Sequence, residues 1–103
     1  MLARAGQPEA AIERYRQVIE AEPGNADAYN NLGVLLVELG RRKEALEVFR
    51  RAVRENDNAR AHYNLADTLD ELGCNWEATP PWQAYLRHDQ FSEWARHAKR
   101  RLG

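Results

Sequence analysis

Cysteine is almost absent from this 103-residue chain, and the single Cys74 rules out an internal disulfide framework. A lone thiol fits a reducing compartment, so a cytoplasmic location is expected. Long apolar runs are missing as well. The longest, Val34 to Val37, is far short of the roughly 20 residues that a bilayer-crossing helix needs. The start, Met1 to Pro8, lacks a basic segment followed by an apolar one, so no signal peptide is visible. Neither sign of charge dominates: 15 basic and 16 acidic side chains leave a net charge of −1, which removes any overall pull toward nucleic acid or anionic membrane. Chemistry-bearing constellations are equally scarce. His62, His88 and His97 share no metal-ligand spacing with Cys74, and there is neither a glycine-rich phosphate loop nor a paired nucleophile and base. The expectation is a chain that is not an enzyme and has no catalytic residue, cofactor or metal site.

What the chain does have is a repeat. Ala28 to Val53 aligns with Ala61 to Leu86 at a spacing of 33 residues, with nine of 26 positions identical. Among these are Asn31/Asn64, Leu32/Leu65, Leu36/Leu69, Glu38/Glu71, Leu39/Leu72, Gly40/Gly73, Glu44/Glu77 and Ala45/Ala78. A partial third copy precedes them, with Gly6, Ala11, Tyr15 and Ile19 lying 34 residues before Gly40, Ala45, Phe49 and Val53. A period of this size marks stacked supersecondary units in place of one globular core.

Within each unit the apolar residues follow helical spacing. Tyr29, Leu32, Leu36 and Leu39 form one stripe, and Ala45, Val48, Phe49, Ala52 and Val53 form a second. Gly40 lies between them, where a left-handed residue ends a helix, so each unit reads as an antiparallel helical hairpin. Asn25 and Asn58 stand at cap positions, Ser92 caps a last helix, and Pro8 suits a first helical turn. Ala45 and Ala78 let paired helices approach closely, while Phe49 and Trp82 fill the space between hairpins. Pro80 and Pro81 fall where the third unit's second helix is due, and an interior proline costs about 3 kcal/mol. That helix is expected to start late, with Thr79 as cap and Pro80 first, leaving Cys74 to Ala78 as a loop or turn. Trp94, Ala98 and Leu102 recur on one face after Ser92, and Trp94 and Leu102 are expected to dock on the last hairpin.

On these residues the chain resembles the tetratricopeptide repeat family. Tyr29, Leu32, Gly33, Leu36, Ala45 and Phe49 match its pattern in the second copy, and His62, Leu65, Ala66, Leu69, Ala78 and Trp82 hold the same places in the third. The first copy supplies Gly6, Ala11, Tyr15 and Pro23. The departures are Asp57 and Gln90 in place of the closing proline, His62 in place of the usual aromatic, and Ala66 in place of glycine. The resemblance implies an all-α, right-handed solenoid of helical hairpins: a partial repeat at 1–25, repeats at 26–58 and 59–90, and a capping helix at 91–103.

The resemblance also implies a site. In that family the first helices of successive units line a concave groove that takes a peptide or a partner's helix. Carried onto this chain, the groove residues are Asp27, Asn30, Asn31, Val34, Val37 and Glu38, then Arg60, Tyr63, Asn64, Asp67, Asp70 and Glu71. Asn31 and Asn64 have the most specific role to inherit, because an amide both donates to and accepts from a ligand backbone. The alternative is that both are solvated surface residues. Five of the twelve are acidic and only Arg60 is basic, so a neutral or basic protein segment is the expected ligand.

Two rivals remain open. Arg41, Arg42, Lys43, Arg50, Arg51 and Arg54 on the second helix of the middle unit, with Arg96, Lys99, Arg100 and Arg101 on the last helix, give a basic face suited to nucleic acid, although Glu44, Glu47 and Glu55 dilute the first cluster and the last four also suit the helix dipole. Self-association is the other, through Ile12, Tyr15 and Ile19 of the truncated first unit, which lack most of a leading helix to cover them.

Overall fold

The computed structural model describes residues 7–103, and Gly6 of the first partial copy lies outside them. Six helices follow one another: α1 (Gln7–Ala21), α2 (Ala26–Glu38), α3 (Arg42–Glu55), α4 (Ala59–Glu71), α5 (Thr79–His88) and α6 (Glu93–Leu102). Among the described residues there is no strand. No described helix is long and apolar enough to cross a membrane.

The two hairpins turn by the same device. Gly40 and Gly73 adopt φ of 80° and 81°, which a side chain would strain. Each lets the chain fold back so that the Arg41 N–H reaches the Leu36 carbonyl at 2.7 Å, and the Cys74 N–H reaches that of Leu69 at 2.8 Å. These backward bonds satisfy carbonyls that a helix end otherwise leaves open. The starts are capped as their sequence demands. Asn25 Oδ1 accepts from the Ala28 N–H at 3.0 Å, Asn58 Oδ1 from that of Ala61 at 2.8 Å, and Ser92 Oγ from that of Ala95 at 3.1 Å.

Packing follows the small and large positions of the repeat. Ala45 and Ala78 are fully buried, and Phe49 and Trp82 fill the core at 1% exposure each. They join Leu32, Leu36, Leu65, Leu69 and Tyr85 in one continuous cluster, while Tyr29, Ala52 and Ala61 make a smaller one. Gly33 is required by a close approach, since a Cβ there would overlap the Phe49 ring.

The prolines delay α5 as expected, though by one residue less: Ala78 occupies the cap position and Thr79 is already helical. Residues 75–78 form an isolated turn, in which the Ala78 N–H bonds the Cys74 carbonyl at 3.1 Å. Pro80 and Pro81 then fall in the first turn, where the missing N–H groups would have had no helical partner.

Two expectations about the ends of the stack need correction. Ile12 is only 1% exposed and is covered, while Tyr15 and Ile19 are half-buried against the core and Tyr15 also lines an open face of α1. On α6 Leu102 packs against the core as expected and Ala95 and Ala98 are fully buried, whereas Trp94 meets the last hairpin at the Tyr63 ring and stays 61% exposed. A small-residue seam lets α6 lie close to α5, and the indole, one position off that seam, is left at its margin.

Candidate peptide-binding surface

Helices α2, α4 and α6 follow one another across one face, because each is the leading helix of its unit. The rungs between them differ along the helix axes. Near the helix starts they are amide and aromatic. Arg60 donates to Asn31 Oδ1 at 3.1 Å, and Asn64 Nδ2 donates to Asn30 Oδ1 at 3.3 Å. Tyr63 is the hub of an aromatic cluster, with ring centroids 5.0 Å from Trp82, 5.2 Å from Tyr85 and 5.4 Å from Trp94, all edge-to-face. This is the geometry that aromatic quadrupoles favour. Burial, with help from the Asp67 charge, pushes the Tyr63 phenol above its ordinary range.

Between α4, α5 and α6 these side chains leave a cavity of about 420 Å³, lined by Ala59, Arg60, Tyr63, Asn64, Tyr85 and Trp94. Such a hollow suits an apolar or aromatic side chain, with the Asn64 amide and the Arg60 guanidinium at hand for a backbone. Tyr85 and Trp94 are absent from the residues inferred from sequence. Reading α6 as one more leading helix would have put Trp94 on this face.

Toward the helix ends the rungs are ionic. Arg101 Nε donates to Asp70 Oδ2 at 2.8 Å, and the Trp82 indole N–H reaches the same oxygen at 2.8 Å. Burial alone would raise the Asp70 carboxyl, but the Arg101 and Trp82 hydrogen bonds hold it below its ordinary range. Glu71 accepts from Arg42 at 3.0 Å, and Asp67 faces His97 at 4.0 Å. Burial, and next the neighbouring Glu71, push the Asp67 carboxyl upward.

These contacts correct two parts of the sequence reading. Asn30 is not on an exposed face: it is 1% exposed, wedged beneath Asn64, and its Nδ2 has no partner among the described residues. This face is also less acidic than its composition implies, because α6 brings Arg101 onto Asp70 and α3 brings Arg42 onto Glu71. Asp27 and Glu38 are exposed and without an ion pair among the described residues, and Val34 and Val37 are half-buried against the core.

The basic helix α3 is mostly neutralised. Arg41 reaches Glu9 at 2.7 Å, Arg42 reaches Glu71, Arg50 lies within 4.0 Å of Glu47 and Glu77, and Arg51 pairs with Glu55 at 2.7 Å. Lys43 and Arg54 alone of the six lack such a partner among the described residues.

Stacked helical hairpins carrying an open, partly aromatic face define a helical-repeat module of the protein-interaction kind. The sequence profile of the tetratricopeptide repeat matches residues 2–66, and the chain belongs to that family. Peroxisomal targeting signal receptors of Kluyveromyces lactis and Eremothecium gossypii are each 32% identical to it over 68 residues, which cover 65% of this chain and 12% of each receptor. The chain therefore spans only a small part of those proteins' length. The crystal structure of MamA shares the fold at a TM-score of 0.76 and 23% identity, over 82% of this chain and 50% of that one.

Proposed function

We propose that this chain is a non-catalytic adaptor that holds a neutral or basic protein segment across α2, α4 and α6. One large apolar or aromatic side chain of that segment would be seated among Tyr63, Tyr85 and Trp94. The observation that carries this reading is the 420 Å³ cavity itself, with an indole left 61% exposed at its rim. A tryptophan exposed to that degree beside an aromatic hollow is the kind of residue that dominates binding energy at interfaces. Asn64 would keep the role inherited from the family: its amide nitrogen is engaged with Asn30, so Oδ1 is the atom offered to a ligand N–H. Asn31 would offer its amide nitrogen, since Arg60 occupies the oxygen. Asp27 and Glu38 supply the negative field that favours a basic flank. That two relatives are receptors for a targeting signal supports a protein segment as ligand. The free Cys74 supports a reducing, cytoplasmic setting.

The nucleic-acid reading draws less support, because Arg41, Arg42, Arg50 and Arg51 at α3 and Arg101 on α6 face carboxylates. Self-association draws less support from Ile12, which is buried, than from Tyr15 and Ile19, which are half-buried. The test is a low-salt fluorescence titration with two short peptides that share a central tryptophan or phenylalanine and differ in flanking charge. The basic-flanked peptide should bind more tightly, and Trp94→Ala and Asn64→Ala should each weaken it about tenfold, the equivalent of about 1.4 kcal/mol. Tighter binding of the acidic peptide, or indifference to both substitutions, would remove this reading.

A further inference from the structure

Away from the groove, three side chains that the repeat does not require converge on one point. Asp57 lies in the short link between α3 and α4, His62 in the first turns of α4, and His88 at the last position of α5. Nε2 of His62 and Nε2 of His88 approach the same Asp57 Oδ1, at 2.5 and 3.3 Å. The imidazole rings stack with centroids 6.1 Å apart and planes 22° from parallel, and the three ligand-capable atoms lie within 4.8 Å of one another.

The repeat supplies an internal control. One period earlier the same three positions are Gly24, Tyr29 and Glu55. They are close there too: a Cβ on Gly24 would lie 3.7 Å from Glu55 Oε1, and Arg51 joins Glu55 to the Tyr29 ring. The stacking of hairpins therefore brings these positions together wherever it occurs. Only the junction of the second and third units loads them with two imidazoles and a carboxylate, and Asp57 and His62 are both departures from the family pattern.

We propose that Asp57, His62 and His88 form a binding site for a divalent transition ion of the zinc class, with solvent completing the coordination. Two imidazole nitrogens and one carboxylate oxygen are the donors that such an ion selects, whereas magnesium and calcium prefer oxygen alone. Bonds of 2.0–2.2 Å in a tetrahedral arrangement put ligand atoms about 3.3 Å apart. The His88–Asp57 separation already has that value, the His62–Asp57 pair must open by less than an ångström, and the two imidazoles, their ligand atoms within 4.8 Å, must turn out of their stack to aim both lone pairs at one ion. Asp57 and His88 are the exposed members, with side chains 64% and 33% accessible, so they can adjust and the ion can enter. Binding replaces the imidazole N–H donors with lone pairs, each ring shifting its proton to Nδ1. The ion would pin the α3–α4 link to both the start of α4 and the end of α5. It would thereby fix how the third hairpin is set on the second.

The test is calorimetric titration of the metal-stripped full chain with zinc chloride, repeated with cobalt(II) to read ligand-field absorption. Cys74→Ser serves as a control for the only thiol. The parent and Cys74→Ser should each take up one ion per chain and unfold at a higher temperature when loaded. His62→Ala and His88→Gln should each lose at least about tenfold in affinity, the loss expected even for a residue that merely supports a ligand. Circular dichroism checks that the variants fold, and His88→Gln, at an accessible helix end, decides the matter if His62→Ala does not. Absence of uptake by the parent, binding abolished by Cys74→Ser, or undiminished binding in His88→Gln would overturn the proposal.

Discussion

The hairpins α2–α3 and α4–α5 come from the same repeat yet reach the same packing by different backbones. In the first, α3 resumes two residues after Gly40 and runs for 14 residues; in the second, an isolated turn intervenes after Gly73 and α5 has only 10. Even so, Ala45 and Ala78 are both fully buried, and Phe49 and Trp82 are both 1% exposed. The repeat thus preserves which side chains meet at the hairpin seam, and leaves the path of the chain between them free to vary. Where that path varies, as in the proline-delayed α5, the sequence is free to take on other work.

The most direct way to break the comparison is to remove the anchors. Phe49→Ala and Trp82→Ala should each cost about 3–5 kcal/mol in urea unfolding. Trp82→Phe separates the two hairpins further, because the ring is restored but the indole N–H to Asp70 is not. Its loss should be smaller, about 1.5–3 kcal/mol for a bond to a charged acceptor and the space the smaller ring leaves. If Trp82→Ala proved mild while Phe49→Ala were severe, the two anchors would not be equivalent.

The position beneath each anchor offers a sharper contrast. Gly33 has no room for a Cβ, which would overlap the Phe49 ring, whereas Ala66 at the matching place accommodates one beside Trp82. Gly33→Ala should therefore destabilise by about 1–3 kcal/mol through overpacking, despite replacing a helical glycine with the best helix former. Ala66→Gly should cost about 1 kcal/mol for the ordinary reason of propensity. A gain in stability for Gly33→Ala, measured by thermal unfolding, would mean that the ring can move aside.

The caps are expected to behave alike. Asn25→Ala and Asn58→Ala should each cost about 1 kcal/mol, since each removes one side-chain acceptor from an open backbone N–H at the start of a leading helix. Unequal losses would point to the extra bond that Asn25 donates to Glu22 at 2.8 Å, or to the 3.3 Å bond from Asn58 to the Asn56 carbonyl.

These positions also mark how far the residues could be read without coordinates. The turn glycines, the asparagine caps, the small and large core positions and the late α5 all follow from local rules that act over a few residues. The groove was only partly legible, because its electrostatics depend on partners far along the chain. Arg101 lies 31 residues from Asp70, and Arg42 lies 29 from Glu71. The burial of Asn30 likewise depends on Asn64 of the next unit, and helical phase alone puts both amides outward. The cluster of Asp57, His62 and His88 escaped notice because spacing within one helix was the wrong measure. Across stacked hairpins, residues about one period apart are the ones that become neighbours.

The subtlest contrast is between the two junctions that follow the second helices. Asn56 ends α3 and Asp89, 33 residues on, ends α5. Asp89 gathers four donors: the Ser92 hydroxyl, the Tyr85 hydroxyl at 2.5 Å, and the Phe91 and Ser92 N–H groups at 3.2 and 3.3 Å. The Ser92 and Tyr85 hydrogen bonds hold its carboxyl at about 2, against an ordinary 3.8. A group depressed in the folded state contributes stability that is present above the ordinary value and lost as pH falls through the folded one. The chain should accordingly lose stability as the pH is lowered from about 4 to about 2. Asp89→Asn, which makes this junction like that of α3, should be the less stable at neutral pH and should converge with the parent at the acid end. Parallel profiles of melting temperature against pH would show that the carboxylate charge at the α5–α6 junction contributes nothing that an amide does not.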